Sequence, residues 1–333
     1  MIWLGTWLSA YLIIAANSWM QHPVGYTINA QTGRAQATDI WAILFQHLTI
    51  FAFVHVIFAG ILTGGFVVLG VACWHLMHKR NTALMHTAAK LAIIIVLPVS
   101  IIQLGWGSEL GVAMTDVQPM KIAASEALWN TAQPAPFSLF QIGGFTASDP
   151  TPSFIIEIPK LLSFLATNSF NGKVVGINQL QQQYESTYGP GNYTPDIRLE
   201  YWAMRVMAYL GTLAMLLAVW GGVLLWRKRL DNAKWFHRAA LVGIAFPFLA
   251  NFAGWILTET GRQPWIVYGL QKTANAVSPT STTFKVGLSL AVFVALYIAL
   301  GIADFILMRR YARVDPPEVG EELSDAVTPI PGY

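Results

Sequence analysis

Apolar residues in this chain come in long unbroken runs rather than in alternation. Six runs, at about 2–20, 48–74, 87–104, 204–226, 239–258 and 285–308, reach the length that crosses a bilayer core. Most of each run is apolar around its whole helical circumference, as expected of helices that face lipid or one another. Strands of a membrane barrel would alternate, and these runs do not. The predicted fold class is an all-α membrane protein, a bundle of about six transmembrane helices with a long extracytoplasmic loop. Four regions follow: spans one to three over 1–104, the loop over 105–203, spans four to six over 204–308, and a tail over 309–333.

Basic residues set the expected orientation. Lys79, Arg80 and Lys90 lie between spans two and three, and Arg227, Lys228, Arg229, Lys234 and Arg238 between spans four and five. Arg309, Arg310 and Arg313 follow span six. Simple alternation puts all three clusters on one side, which the positive-inside rule makes cytoplasmic, together with the N-terminus of this chain and its C-terminus. The segment 105–203 then lies outside. It is far longer than a usual helix connection, and loops of that size are functional or disordered. Its stretch Asp116–Trp129, DVQPMKIAASEALW, predicts a short helix opened by Pro119. Part of the loop is expected to pack on the membrane surface and the remainder to be mobile. The Pro-rich, acidic tail after Arg313 is expected to be disordered.

Composition narrows the class further. Only 11% of the residues are charged and 55% are hydrophobic, against about 25% charged in soluble proteins. The net charge of +3 sits in short loops, with no basic stripe, so no nucleic-acid partner is expected. One cysteine, Cys73, within an apolar run, excludes a disulfide framework or a thiolate metal site inside the chain. The first twenty residues lack the basic start of a signal peptide and read as a span, a shortened one at most.

Four places can carry chemistry. The fifth run closes with Gly254–Trp265, GWILTETGRQPW, which places Glu259 where the run meets water and Arg262 one turn later. Pro264 cannot continue the helix, and Trp255 and Trp265 suit an interface belt. This is either a capped helix end with an ordinary ion pair or a carboxylate held at the membrane edge to ligate or gate something. His55 sits amid an apolar sequence, with Ala52, Ala59 and Gly60 leaving a flat surface near its ring. It either bonds a neighbouring helix or meets a planar macrocycle, and His47, two turns earlier, competes with it. Met207 has Ala203 and Gly211 on its face; such a methionine is either core filler or a ligand. Arg205, at the mouth of the same span, can pair with a propionate or a lipid phosphate. His/Met ligation would fill both axial positions of a low-spin haem and favour electron transfer over oxygen binding. Lys121 and Glu126 share the short loop helix, about 140° apart around it, so a direct ion pair is not favoured.

Read together, these blocks resemble subunit I of the cytochrome bd quinol oxidases. GWILTETGRQPW is similar to that family's GRQPW signature, and FVHVIFAGILTGG to its segment bearing the low-spin haem histidine. WAMRVMAYLG resembles the segment bearing the methionine ligand, and DVQPMKIAASEALW the quinol-binding part of the extracytoplasmic Q-loop. The resemblance implies His55 and Met207 as axial ligands of a low-spin haem b, with Arg205 beside it. It implies Glu259 as ligand of a second, high-spin haem b, with Arg262 nearby and Trp255 between haems. Lys121 and Glu126 fall at the positions of quinol oxidation. AANSWMQHP resembles a further family segment, and Asn17 there is expected on a proton path. The implied enzyme is a quinol:oxygen oxidoreductase of the respiratory chain in the bacterial inner membrane. It oxidises quinol outside, passes electrons through the haems b to haem d, where oxygen is reduced, and so contributes to the proton motive force. Its implied partners are quinol, oxygen, subunit II and membrane lipid.

The chain departs from that pattern at its start and in its loop. The family has three further spans before this point, which carry the histidine of haem d. The chain is therefore expected to be a fragment or one part of a split subunit. The third haem, d or b, would belong with those spans. The loop matches the family's shorter version. The rival expectation is a secondary transporter using Glu259, Arg262 and His55 as an ion or substrate relay. It predicts a repeat between the two halves and helices broken near mid-membrane, for which Pro98 and Pro247 are weak signals.

Overall fold

The computed structural model describes residues 2–278 and 280–314. In chain order the helices are α1 (Ile2–Gln21), α2 (Ile40–Leu44), α3 (His47–Met77), α4 (Thr82–Val117), α5 (Pro119–Ser125), α6 (Leu161–Thr167), α7 (Ile177–Tyr188), α8 (Ile197–Trp226), α9 (Lys234–Gly243), α10 (Ala245–Thr260) and α11 (Thr283–Tyr311). Three small antiparallel ladders lie between them: β1 (Tyr26–Ile28) with β2 (Ala35–Ala37), β3 (Phe137–Gly143) with β4 (Pro152–Ile158), and β5 (Trp265–Val267) with β6 (Gln271–Lys272). Among the described residues, five stretches are long and apolar enough to cross a membrane: Ile40–Met77, Thr82–Val117, Ile197–Trp226, Lys234–Thr260 and Thr283–Tyr311. The expected sixth, α1, is helical over the predicted length but falls outside that group. Its Ser, Thr, Tyr, Asn and Gln residues dilute the apolar run.

The membrane bundle is held by α3, α4, α8 and α9. Phe66 and Leu69 of α3, Ile93 and Val96 of α4, Leu217 of α8 and Phe236 of α9 form its buried centre. Without a hydrophobic drive inside lipid, helices associate through close packing, and small residues permit that approach. Gly70 shows it: a Cβ there would collide with Ile244 and crowd the Ala240 carbonyl. The fifth expected span is interrupted at Ile244, between α9 and α10. Pro247 explains the break, because it has no N–H to give to the Gly243 carbonyl. By contrast, α4 runs unbroken through Pro98. Helix α11 has no buried residue.

Two boundaries differ from expectation. Helix α4 continues past residue 104 to Val117, because 105–117 carries only Glu109 and Asp116 as charges and packs against α5 and α6. Helix α8 begins at Ile197, where Asp196 accepts a cap bond from Leu199 N–H at 3.0 Å. The segment between α4 and α8 is thus shorter than predicted, and it contributes to two buried cores. One core joins α5, α7, Tyr193 and Trp265; a second joins Phe137 to α6. The predicted helix over 116–129 narrows to α5 and ends where Ala127 adopts a left-handed φ of 48°. The expected disordered tail lies outside the described residues beyond 314.

Candidate functional site

The short helix α5 puts two charges under the loop module, and both are buried. Glu126, at the end of α5, meets Arg205 of α8. The guanidinium Nη2 donates to Glu126 Oε2 at 2.7 Å and to the Ser138 carbonyl at 2.5 Å, while Nε donates to the same carbonyl at 3.1 Å and Nη1 to the Ser125 carbonyl. Tyr201, one turn before Arg205, stacks its ring 3.7 Å from the guanidinium carbon. Burial pushes the Glu126 carboxyl up from its usual range, and Arg205 pulls against that shift.

Lys121 turns the other way. Its Nζ donates to Gln21 Oε1 at the end of α1. Gln21 Nε2 donates to Asn17 Oδ1 at 2.7 Å, and Asn17 Nδ2 donates to Glu259 Oε1 at 2.6 Å. Arg262 Nη2 holds the other Glu259 oxygen at 2.7 Å. A line of hydrogen bonds therefore runs from the loop lysine to the carboxylate of the Gly254–Trp265 stretch. Burial brings Lys121 down to about 7; the Glu200 and Glu259 carboxylates oppose that shift and Arg262 adds to it. A group so placed exchanges a proton near neutral pH. Beside it lies a cavity of about 10 Å³, room for about one water, lined by Gln118, Lys121, Gly261, Arg262, Trp265 and Tyr268 among others. Gln118 Oε1, Arg262 Nε and Nη1, and Trp265 Nε1 are buried without hydrogen-bond partners.

The two haem-ligand candidates lie on α3 and α8. His55 of α3 faces α4: its Cε1 would lie 3.3 Å from a Cβ on Gly107, and its Nε2 is 3.2 Å from Gln103 Nε2. Its Nδ1 is buried with no partner. Met207 of α8 faces α10, with its sulfur 3.0 Å from where a Cβ on Gly254 would stand. Each donor thus sits against a glycine, and the ring of His55 keeps one nitrogen unengaged. A ring nitrogen and a thioether backed by glycines suit the axial demands of a haem. Glu259 is half-buried, and its two oxygens keep lone pairs beyond the bonds from Asn17 and Arg262. Among the described residues no group of three or more His, Cys, Asp or Glu side chains can hold a bare metal ion.

The structure therefore brings Asn17, Lys121, Glu259 and Arg262 into one network and Glu126 with Arg205 into another. His55 and Met207 rest against different helices, α4 and α10. Trp255 is exposed on α10, as an interface residue would be, but Trp265 is buried, its ring stacked on Tyr193 at 5.7 Å between centroids. Trp265 belongs to the loop-module core, not to a belt. Sequence reasoning missed Gln21, Gln103 and Glu200. Gln21 had a signal, lying four residues after Asn17 and so on the same helix face. Glu200 had a weaker one, an acid one residue before the Tyr201–Gly211 stretch.

The family model described as cytochrome bd terminal oxidase subunit I matches residues 1–316. A protein of Bacillus subtilis (strain 168) named cytochrome bd ubiquinol oxidase subunit 1 is 40% identical over 322 residues, covering 92% of this chain and 66% of that protein. Cytochrome bd-II ubiquinol oxidase subunit 1 of Escherichia coli (strain K12) is 29% identical over 376 residues, covering 96% of this chain and 72% of its own length. The solved bd oxidase from Geobacillus thermodenitrificans superposes with a TM-score of 0.80 at 29% identity, covering 94% of this chain and 68% of the matched one. The chain thus spans about two-thirds of the length of these relatives. One interrupted helix is present, as a transporter would need, yet each relative named here is an oxidase, and the transporter reading has no support.

Proposed function

The chain belongs to the cytochrome bd terminal oxidase subunit I family, and from that footing we propose that it oxidises quinol and carries haems in a terminal respiratory oxidase. Quinol is bound on the outer face, against the loop module that holds Lys121 and Glu126. His55 and Met207 hold a low-spin haem b, with Arg205 near it, and Glu259 holds a high-spin haem b, with Arg262 and Trp255 near it. Haem bound at these residues supplies one-electron steps between quinol and oxygen. The family's third haem, d or b, is assigned no ligand among these residues.

The residues of the chain do the rest. Lys121, poised near neutrality, takes up a quinol proton as the electrons leave. The Arg205–Glu126 pair fixes the loop helix to α8, two residues from Met207. Asn17 and Arg262 orient the Glu259 carboxylate by bonds to its two oxygens. Subunit II and lipid cover the apolar surface that the bundle leaves exposed, α11 above all. The chain lies in the bacterial cytoplasmic membrane, with both of its ends on the cytoplasmic side and the loop module outside. Protons released outside and taken up inside generate the proton motive force.

The observation that carries this reading is the unbroken hydrogen-bonded line from Lys121 through Gln21 and Asn17 to Glu259, which ties the loop to the Gly254–Trp265 stretch. The test is the reduced spectrum of the assembled membrane complex. His55→Ala or Met207→Leu is expected to remove the low-spin b signal. A normal spectrum from either variant defeats the axial assignment.

A further inference from the structure

One buried acid carries no role in the proposed function. Glu200 stands in the first turn of α8 with none of its surface exposed. Its Oε1 accepts a hydrogen bond from Thr260 Oγ1, and its Oε2 has no partner at all. A buried carboxylate oxygen left unpaired is costly, and such groups persist where function requires them. What lies next to Oε2 is Gly261. A Cβ on that glycine would collide with Glu200 Oε2 and would stand only 2.7 Å from Lys121 Cγ. Carboxylate and lysine stem thus both reach the space that a side chain on Gly261 would fill.

We propose that Glu200 is a positioning residue for quinol oxidation: across Gly261 it supplies Lys121 with the countercharge that the neutral Gln21 cannot give. This rests on the functional reading above. Three observations support it. Glu200 is a carboxylate that meets the Lys121 stem at Gly261. Gln21, the lysine's hydrogen-bond acceptor, is an amide and neutralises nothing. The bond from Thr260 fixes the carboxylate to the same turn that carries Glu259, so the loop lysine, the head of α8 and the Gly254–Trp265 stretch meet at one point. The other groups around Lys121 are Arg262 and Glu259 from the end of α10, Gln21 from α1 and Met114 from α4. Around Glu200 they are Thr260, Lys121 and Asp196.

Where Glu200 is ionised, the sign of the effect follows from its charge. Removing an anion beside Lys121 makes its ammonium form harder to keep, so any rate limb that reports Lys121 moves to lower pH. The experiment compares quinol oxidation by the assembled membrane complex carrying wild-type chain, Glu200→Gln and Glu200→Asp, with the haem spectrum recorded for each. Glu200→Gln is expected to keep the haem spectrum, lower kcat about ten- to a hundredfold and shift the limb to lower pH. Glu200→Asp, which keeps the charge, is expected to hold the limb near its wild-type midpoint and recover part of the rate. A Glu200→Gln profile that superimposes on wild type overturns the inference and leaves the functional reading intact. If Glu200→Gln fails to assemble, Glu200→Asp decides, and a limb displaced to lower pH there despite the retained charge overturns the inference. A wild-type complex that oxidises no quinol removes both.

Discussion

Lys121 and Glu126 are five residues apart, on one short helix, equally hidden from water, and their surroundings are opposite in kind. Glu126 faces a guanidinium whose three nitrogens are each engaged, the other bonds ending on the Ser125 and Ser138 carbonyls. Lys121 faces an amide and, across a glycine, a carboxylate with one idle oxygen. A buried ion pair of this kind resists change, because removing either partner strands the other. A buried amine with incomplete compensation stays adjustable, and its proton comes and goes near neutral pH. The same loop helix thus carries a lock and a valve. Its sequence position alone does not say which residue is which.

The comparison breaks most visibly at the lock. Arg205→Leu leaves Glu126 buried without a partner and is expected to cost about 3–5 kcal/mol, read as a lower thermal midpoint of the complex. An unchanged midpoint would mean that the pair is not the clamp described. Next comes Gly261→Ala, whose new methyl meets Glu200 Oε2 and, at 2.7 Å, the Leu257 carbonyl. It is expected to cost roughly 1–3 kcal/mol and to slow quinol oxidation, checked by the same melting curve beside an oxygen-uptake assay. The smallest stability effect belongs to Lys121→Met. A lysine whose pKa falls from 10.5 to about 7 on folding binds its proton less readily in the folded chain. That cost is fully present below about 7 and fades as pH rises towards 10.5. Lys121→Met removes it, so stability at neutral pH is expected to stay level or rise even though quinol oxidation falls. A large loss of stability would place Lys121 with the locks.

Much of the bundle was legible because the physics of lipid is simple. Long apolar runs can only be helices there, and α3 and α11 appear close to where their runs predict them. The extension of α4 to Val117 was not legible, since Gly105, Gly107 and Glu109 read as the start of a loop, whereas packing on α6 keeps them helical. The interruption at Ile244 was signalled by Pro247, but Pro98 gave the same signal without a break. At the site, residue types were readable and partners were not. Arg205 was expected beside a propionate or phosphate, and its visible partner is Glu126, 79 positions away. Glu200 drew no notice because it fell inside the predicted loop, four residues before the expected start of span four. Only the fold brings Thr260, Gly261 and Lys121 around it.

The most direct test of the valve is the pH dependence of quinol oxidation by the assembled complex, measured for wild-type chain and for Lys121→Met. A neutral Lys121 accepts the quinol proton, so the wild-type rate is expected to rise with pH through a midpoint near about 7, and that limb is expected to vanish in Lys121→Met. The same limb at the same midpoint in Lys121→Met would contradict the account.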